Sequence, residues 1–311
     1  MALIKTQGLV KKFNHSGNII NAVDGINLSI EKGKTYGLAG ESGCGKSTLA
    51  SMLSLLTKPD EGHILFNSKD INTLSKHEEK EFRKKVQIVF QNPYESLNPK
   101  MKISSILEEP LLIHKIGNSR EERKCLINEI RTMCALDSAV LDKYPLELSG
   151  GQCQRISIAS AMLLKPEFLI LDEPVSSLDV LIQAQIINIL KLMQKSMEMT
   201  YLFISHNLNV VSYISDVIGI MYLGNIVEEA DTEEILKNPV HPYTKTLFSA
   251  SYNSYSSYKG ESMAFTGKLT RPESKSCPFC LRCPHCKDIC LNRRPESKEL
   301  KPGHKVSCHL V

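Results

Sequence analysis

The nine residues Gly40-Glu-Ser-Gly-Cys-Gly-Lys-Ser-Thr48 constrain this chain more than any others. They match G-x-x-x-x-G-K-[ST], a loop whose backbone N–H groups curl around phosphate oxygens. Gly40, Gly43 and Gly45 permit turns that a Cβ would block. Lys46 can reach the β- and γ-phosphates of a nucleotide, and the Ser47 hydroxyl can ligate Mg²⁺. Residues 35–39 read as a short buried strand entering the loop. Residues 47–56 read as a helix whose N-terminus faces the anion.

The chain has 311 residues, enough for one large or two modest domains with a real core. Hydrophobic residues are 42% and charged residues 23%, ordinary for a globular protein. A net charge of +4 is too mild to argue for nucleic acid. Apolar runs such as Val217 to Leu223 stop well short of a membrane span. The N-terminus lacks a basic region followed by an apolar run, so no secretory signal is read. The protein is expected to remain in the cytoplasm.

Residues 3–39 alternate apolar and polar in short runs, as an antiparallel patch feeding the loop does. Residues 60–67 add a turn and a strand. Lys, Glu and Arg at helical spacing over 74–85 make a solvated helix face. Val86 to Phe90 reads as a strand. Residues 100–147 are helical in pattern, broken at Pro110, Gly117 and Pro145. A helix is expected over 156–164 and buried strands over 168–171 and 201–204. Strands apolar throughout, alternating with helices, imply an α/β fold with a parallel sheet covered on both faces. Residues 250–262, rich in Ser and Tyr, read as a linker, and no internal repeat is visible.

Four further signals follow the loop. Phe168-Leu-Ile-Leu-Asp172-Glu173 is an apolar strand ending in two carboxylates. Asp172 can hold the water shell of Mg²⁺, and Glu173 can orient and deprotonate an attacking water. The bland alternative is a solvated acidic pair after a core strand. Leu148-Ser-Gly-Gly-Gln152 can seat an anion at a helix start, or serve as an ordinary serine cap. Gln91 closes a strand where its amide can touch the metal or the water, though such a Gln is often only surface. His206 closes another, where it can hydrogen-bond a γ-phosphate or be structural.

In this order the set resembles the ATP-binding cassette (ABC) transporter ATPases over residues 1 to about 245. The phosphate loop is Gly40 to Thr48, the Q-loop Gln91 and the signature Leu148 to Gln152. Asp172 and Glu173 are the Walker B pair, Ser176 to Asp179 the D-loop and His206 the switch histidine. The resemblance implies a P-loop NTPase cassette, with a RecA-like core, an antiparallel β patch and a helical subdomain at about 95–147. It implies ATP bound by Gly40, Ser42, Gly43, Cys44, Gly45, Lys46, Ser47 and Thr48, with Gln91 and Asp172, and Mg²⁺ held by Ser47, Gln91 and Asp172. Glu173, His206 and Gln91 would be catalytic. Two cassettes would pair head to tail, so that Ser149, Gly150, Gly151 and Gln152 meet nucleotide held mainly by the partner. Phe13 would lie under the adenine, the alternative being that it packs in the strand patch.

Val89-Phe-Gln-Asn-Pro-Tyr-Glu-Ser-Leu-Asn-Pro99, Glu109-Pro-Leu111 and Asn238-Pro-Val-His-Pro-Tyr-Thr244 look like oligopeptide and dipeptide permease ATPases, of the F type that pairs with a D-type paralogue. That implies import of peptides, two membrane permease subunits, an extracytoplasmic peptide-binding protein and a place on the cytoplasmic face of the membrane. Nickel importers are close relatives. Other rivals are an ABC ATPase without membrane partners and a binding module with a dead ATPase. The first usually carries two cassettes or a coiled-coil insertion; the second is opposed by Lys46, Asp172, Glu173 and His206. The chain departs from the family at Cys153, at Ala159-Ser160-Ala161 and at Asn207. Ser160 is expected to weaken an internal ion pair and slow hydrolysis.

Six of the ten cysteines fall between Cys277 and Cys308. In a cytosolic chain such clustering suggests metal rather than disulfides. Within the run Cys277, Cys280, Cys283, Cys286 and Cys290, the spacing from Cys280 to Cys290 matches a bacterial iron–sulfur run, save that Leu291 stands where proline would be. It also suits zinc, with His285, His304 and His309 as spare ligands. The resemblance carries the four ligands of a [4Fe–4S] cluster onto Cys277, Cys283, Cys290 and Cys308. The organisation expected is a cassette over 1–245 and a linker with a small Cys-rich, metal-binding extension over 246–311.

Overall fold

The computed structural model describes residues 1–15, 18–251, 272 and 275–311. From residue 252 onward the Ser/Tyr-rich linker lies outside the described residues. The chain forms two compact units. The first comprises Met1, Glu31–Gly33 and Thr73–Leu202, and the second Ala2–Ile30, Lys34–Asn72 and Phe203–Val311.

In the first unit, helix Lys76–Lys85 is set by a capping box between Ser75 and Glu78. Acids in its first turn and bases in its last complement the helix dipole. Strand Val86–Val89 follows and runs parallel to Phe168–Asp172, all five residues of which are buried. Burial on both faces is why that strand is continuously apolar. Ile103–Ile113 and Arg120–Met133 are the helices read over 100–147. Pro110 does not break the first of them but lies inside it. Proline there costs about 3 kcal/mol, and burial of Ile103, Ile106, Leu107 and Leu111 outweighs it. Helix Val180–Met197, capped by Asp179, buries Ile186, Ile187, Leu190 and Met193 on one stripe.

In the second unit, strand Ala2–His15 pairs antiparallel with Asn18–Ile26 and with Glu61–Phe66, which is the expected patch. Strand Thr35–Ala39, wholly buried, runs parallel to Val217–Tyr222. Beyond that pair the strands turn antiparallel. Val217–Tyr222 pairs with Asn225–Asp231, which pairs with His304–Val306 and through it with Lys298–Lys301. Two residues, Leu223 (φ +44) and Gly224 (φ +89), make the first of these turns. Positive φ at both positions matches the right-handed twist of a hairpin. Helix Leu208–Ile214 lies so close to Thr35–Ala39 that a Cβ on Gly37 would stand 2.3 Å from Ser215 Oγ.

Candidate functional site

The second unit carries the phosphate loop between strand Thr35–Ala39 and helix Lys46–Leu53. Gly45 caps that helix at φ +111, with no side-chain cap and no acid in the first turn. With neither a capping side chain nor an acid in its own first turn, the helix start suits a phosphate. A Cβ on Gly45 would stand 2.0 Å from Ala22 O, which fixes glycine there. Lys46 is buried and donates to Gly40 O at 2.8 Å and Glu41 O at 3.0 Å. Cys44 Sγ lies 3.8 Å from Lys46 Nζ, and burial pushes its thiol up.

Glu41 is held at every polar group. Its N–H donates to Tyr243 Oη at 3.0 Å, and its carbonyl also accepts from Cys44 N at 3.3 Å. Its carboxylate takes both arms of the Arg282 guanidinium, at 2.9 and 3.1 Å. The Arg282 Cζ sits 5.8 Å from the Tyr222 ring, and Phe279 packs edge-on against that ring at 5.2 Å. Sequence reasoning passed over Tyr243 and Arg282 as contributors to the loop. Tyr243 is visible in the sequence only within the Asn238 to Thr244 subfamily motif.

The first unit carries the carboxylates. Asp172 is buried at the end of its strand and Glu173 follows, half-buried. Glu173 has φ +48, a conformation that costs a non-glycine residue about 1–3 kcal/mol and collects at functional sites. The turn after it supports the geometry: Ser176 N and Ser176 Oγ both donate to Glu173 O. Gln91 Nε2 reaches Glu173 Oε2 and Ser176 Oγ, each at 3.3 Å. The structure thus brings Gln91, Glu173 and the D-loop Ser176 together.

Ser149 caps helix Gly150–Met162, which starts six residues ahead of the expected Ile156. The reason is a capping box: Gln152 N donates to Ser149 Oγ at 3.3 Å and Ser149 N to Gln152 Oε1 at 3.0 Å. Ser149 is exposed, and Gly151 is buried where a Cβ would stand 2.7 Å from Ile182 Cγ2. His206, which belongs to the second unit, is exposed and directly follows strand Thr200–Ser205. Asn207, where aspartate was expected, caps the next helix through Asn209 N and Val210 N. Phe13 stays on strand Ala2–His15, 46% exposed, with Lys11 Nζ 5.7 Å from its ring. Cys153 Sγ donates to Pro145 O at 3.4 Å.

Residues 23–176 match the model of the ABC transporter family, and residues 227–290 that of the oligopeptide/dipeptide transporter C-terminal region. The chain is 46% identical over 296 residues to the oligopeptide transport ATP-binding protein AppF of Bacillus subtilis, covering 94% of this chain and 90% of the relative. It is 40% identical over 294 residues to the dipeptide transport ATP-binding protein DppF of Haemophilus influenzae, with the same coverage. Among solved structures it resembles a dimeric post-hydrolysis ATP-binding cassette bound to ADP and Pi. That likeness has TM-score 0.69 and 29% identity, over 74% of this chain and 98% of the other. The fold and loop define a P-loop ATPase. The chain belongs to the ABC transporter ATP-binding family, in the branch that carries the oligopeptide/dipeptide C-terminal region.

ATP and Mg²⁺ are typical of that family. The chain offers Mg²⁺ hard donors of the type it takes: the Ser47 hydroxyl, the Gln91 amide and the Asp172 carboxylate.

The expected metal centre in the tail is corrected. Among the described residues, no group of three or more His, Cys, Asp and Glu can hold a metal ion. The [4Fe–4S] cluster expected on Cys277, Cys283, Cys290 and Cys308, and zinc as its alternative in the tail, are overturned. The tail uses these residues differently. All its cysteines are free of disulfides, and burial pushes Cys277 up to about 12 and Cys283 up to about 11, so both stay neutral thiols. Two spare ligands are also engaged elsewhere. His304 meets Glu228 at 2.8 Å and Glu234 at 3.4 Å, and His309 Nε2 lies 2.8 Å from Arg293 O. Backbone bonds fold the segment locally, such as Cys277 N to Cys290 O at 2.8 Å.

Proposed function

We propose that this chain is the ATP-hydrolysing subunit of a peptide importer. The observation carrying this is one chain matching both the ABC transporter model and the oligopeptide/dipeptide C-terminal model. Relatives named for oligopeptide and dipeptide transport, alike over nearly their whole length, support it.

In this reading Gly40, Ser42, Gly43, Cys44, Gly45 and Thr48 cradle the ATP phosphates. Lys46 leaves its loop carbonyls for the β/γ-phosphates, and Ser47, Gln91 and Asp172 hold Mg²⁺. Glu173 takes a proton from the attacking water, oriented by Gln91, while His206 meets the γ-phosphate. Phe13 lies under the adenine. Ser149, Gly150, Gly151 and Gln152 close on nucleotide held by a D-type paralogue in a head-to-tail pair. The cassette spans 1–245, with a helical subdomain at about 95–147, and residues 246–311 are an appended segment. Two membrane permeases and an extracytoplasmic peptide-binding protein complete the system. No helix among the described residues is long and apolar enough to cross a membrane. This agrees with a subunit docked on the cytoplasmic face.

The test is reconstitution with the permeases and binding protein in vesicles. Peptide-loaded binding protein should stimulate ATP hydrolysis and peptide uptake. Stimulation by nickel and not by peptide would replace the substrate assignment.

A further inference from the structure

The phosphate loop contains a carboxylate, Glu41, inside the segment that is to receive a polyanion. That charge is answered from far along the chain: Arg282 grips it with two hydrogen bonds at 2.9 and 3.1 Å. The guanidinium is itself fixed. Its side chain is 7% exposed, and its Nη1 reaches Tyr222 Oη at 3.4 Å. The ring of Tyr222 packs on Tyr243 at 4.6 Å, and Tyr243 Oη accepts the Glu41 N–H at 3.0 Å. Glu41 O in turn holds Lys46 Nζ at 3.0 Å. The segment bearing Arg282 is anchored at a second point near the loop. Arg294 donates to Asp24 Oδ2 and Asp24 O, both at 2.8 Å. Asp24 N donates to Gly224 O, and Gly224 N to Cys44 O. Both anchors therefore lead back to the loop.

We propose that Arg282 is a positioning residue for the nucleotide, cancelling the Glu41 charge and fixing the loop backbone for the incoming phosphates. An unpaired carboxylate at Glu41 would repel the triphosphate, and a free Glu41 would no longer present its carbonyl to Lys46 in one geometry. By linkage, whatever loosens the 275–311 segment weakens nucleotide binding, and bound nucleotide steadies that segment by the same factor. This rests on the reading of Gly40 to Thr48 as the ATP site.

The test is titration of the full chain with Mg·ATP. Arg282→Ala should weaken affinity about tenfold, the scale of one uncompensated charge beside a bound anion. Arg282→Lys keeps the charge but loses the two-armed grip, so its affinity should fall between those of wild type and Arg282→Ala. The deciding variant is Arg282→Ala with Glu41→Gln. Removing the carboxylate should restore most of the affinity, which repair of a general packing defect would not do. In the assembled transporter Arg282→Ala should raise KM for ATP with kcat retained. Arg282→Ala binding as wild type, or a loss that Glu41→Gln leaves unrelieved, overturns the proposal. Should Arg282→Ala not fold, Arg282→Lys binding as poorly as Lys46→Ala overturns it equally. Lys46→Ala separates the two readings. If it weakens binding while Arg282→Ala does not, only this inference falls. If it binds ATP normally, the loop assignment falls and the inference with it.

Discussion

Gln91 Nε2 stands 3.3 Å from Glu173 Oε2, and the same nitrogen is 3.3 Å from Ser176 Oγ. One amide thus ties the strand ending at Val89 to the carboxylate that follows Asp172. On the proposed reading of Glu173 as the group that orients water, a shift of the segment after Gln91 would act on it through this amide.

Glu173→Gln tests the base directly. The amide can keep a polar contact with Gln91 but cannot take a proton from water. Steady-state hydrolysis should fall at least ~100-fold, the usual scale for a lost general base. ATP affinity should persist, since the phosphate loop is untouched. A variant hydrolysing ATP near the wild-type rate would end the assignment.

Ser149→Arg addresses the paired cassette. Ser149 is exposed at the start of helix Gly150–Met162, and arginine there fills the anion seat and removes the cap. Loss of the cap should cost about 1 kcal/mol of stability, so the chain should still fold. Hydrolysis should fail at the partner's phosphate loop and only in the assembled pair. A mutant pair that assembles and hydrolyses fully at both sites would exclude head-to-tail sharing.

Gly45→Ala tests the loop's backbone. At φ +111, with the new Cβ 2.0 Å from Ala22 O, the loop must shift or strand Asn18–Ile26 must yield. The expected cost is about 1–3 kcal/mol from backbone strain alone, seen as a lower midpoint in thermal unfolding. Mg·ATP affinity should drop with it. An unchanged midpoint together with unchanged affinity would mean that the loop adopts another shape.

The sequence made some of this legible. Strands Thr35–Ala39 and Phe168–Asp172 could be read because burial on both faces leaves only apolar residues. The start of helix Gly150–Met162 was read late, because Ser-Gly-Gly looks like a turn until the Ser149–Gln152 capping box is recognised. The break expected at Pro110 failed for the opposite reason: packing of Ile106, Leu107 and Leu111 overrides local propensity. The link from Arg282 to Glu41 joins residues 241 positions apart, and no local pattern encodes such a pair. The cysteine spacing misled because spacing alone does not say whether a thiol is a ligand or a small buried group.

His241 supplies a pH-dependent prediction. It is 1% exposed, its Nδ1 accepts the Tyr243 backbone N–H at 3.0 Å, and its backbone N–H donates to Glu228 Oε2 at 2.9 Å. Its ring lies 5.7 Å from Phe279. Burial lowers it from 6.5 to about 3, so in the folded chain it stays neutral and keeps its acceptor. The unfolded chain protonates it near 6.5. Between those values the unfolded state binds more protons, so stability falls as pH drops through the window. At pH 5 the loss from this residue should be on the order of 2 kcal/mol relative to neutral pH. His241→Asn keeps a side-chain acceptor but does not titrate. Its unfolding midpoint should be lower than wild type at pH 7.5 and should decline less steeply toward pH 5. Parallel declines for the two proteins would show that His241 does not carry this acid sensitivity.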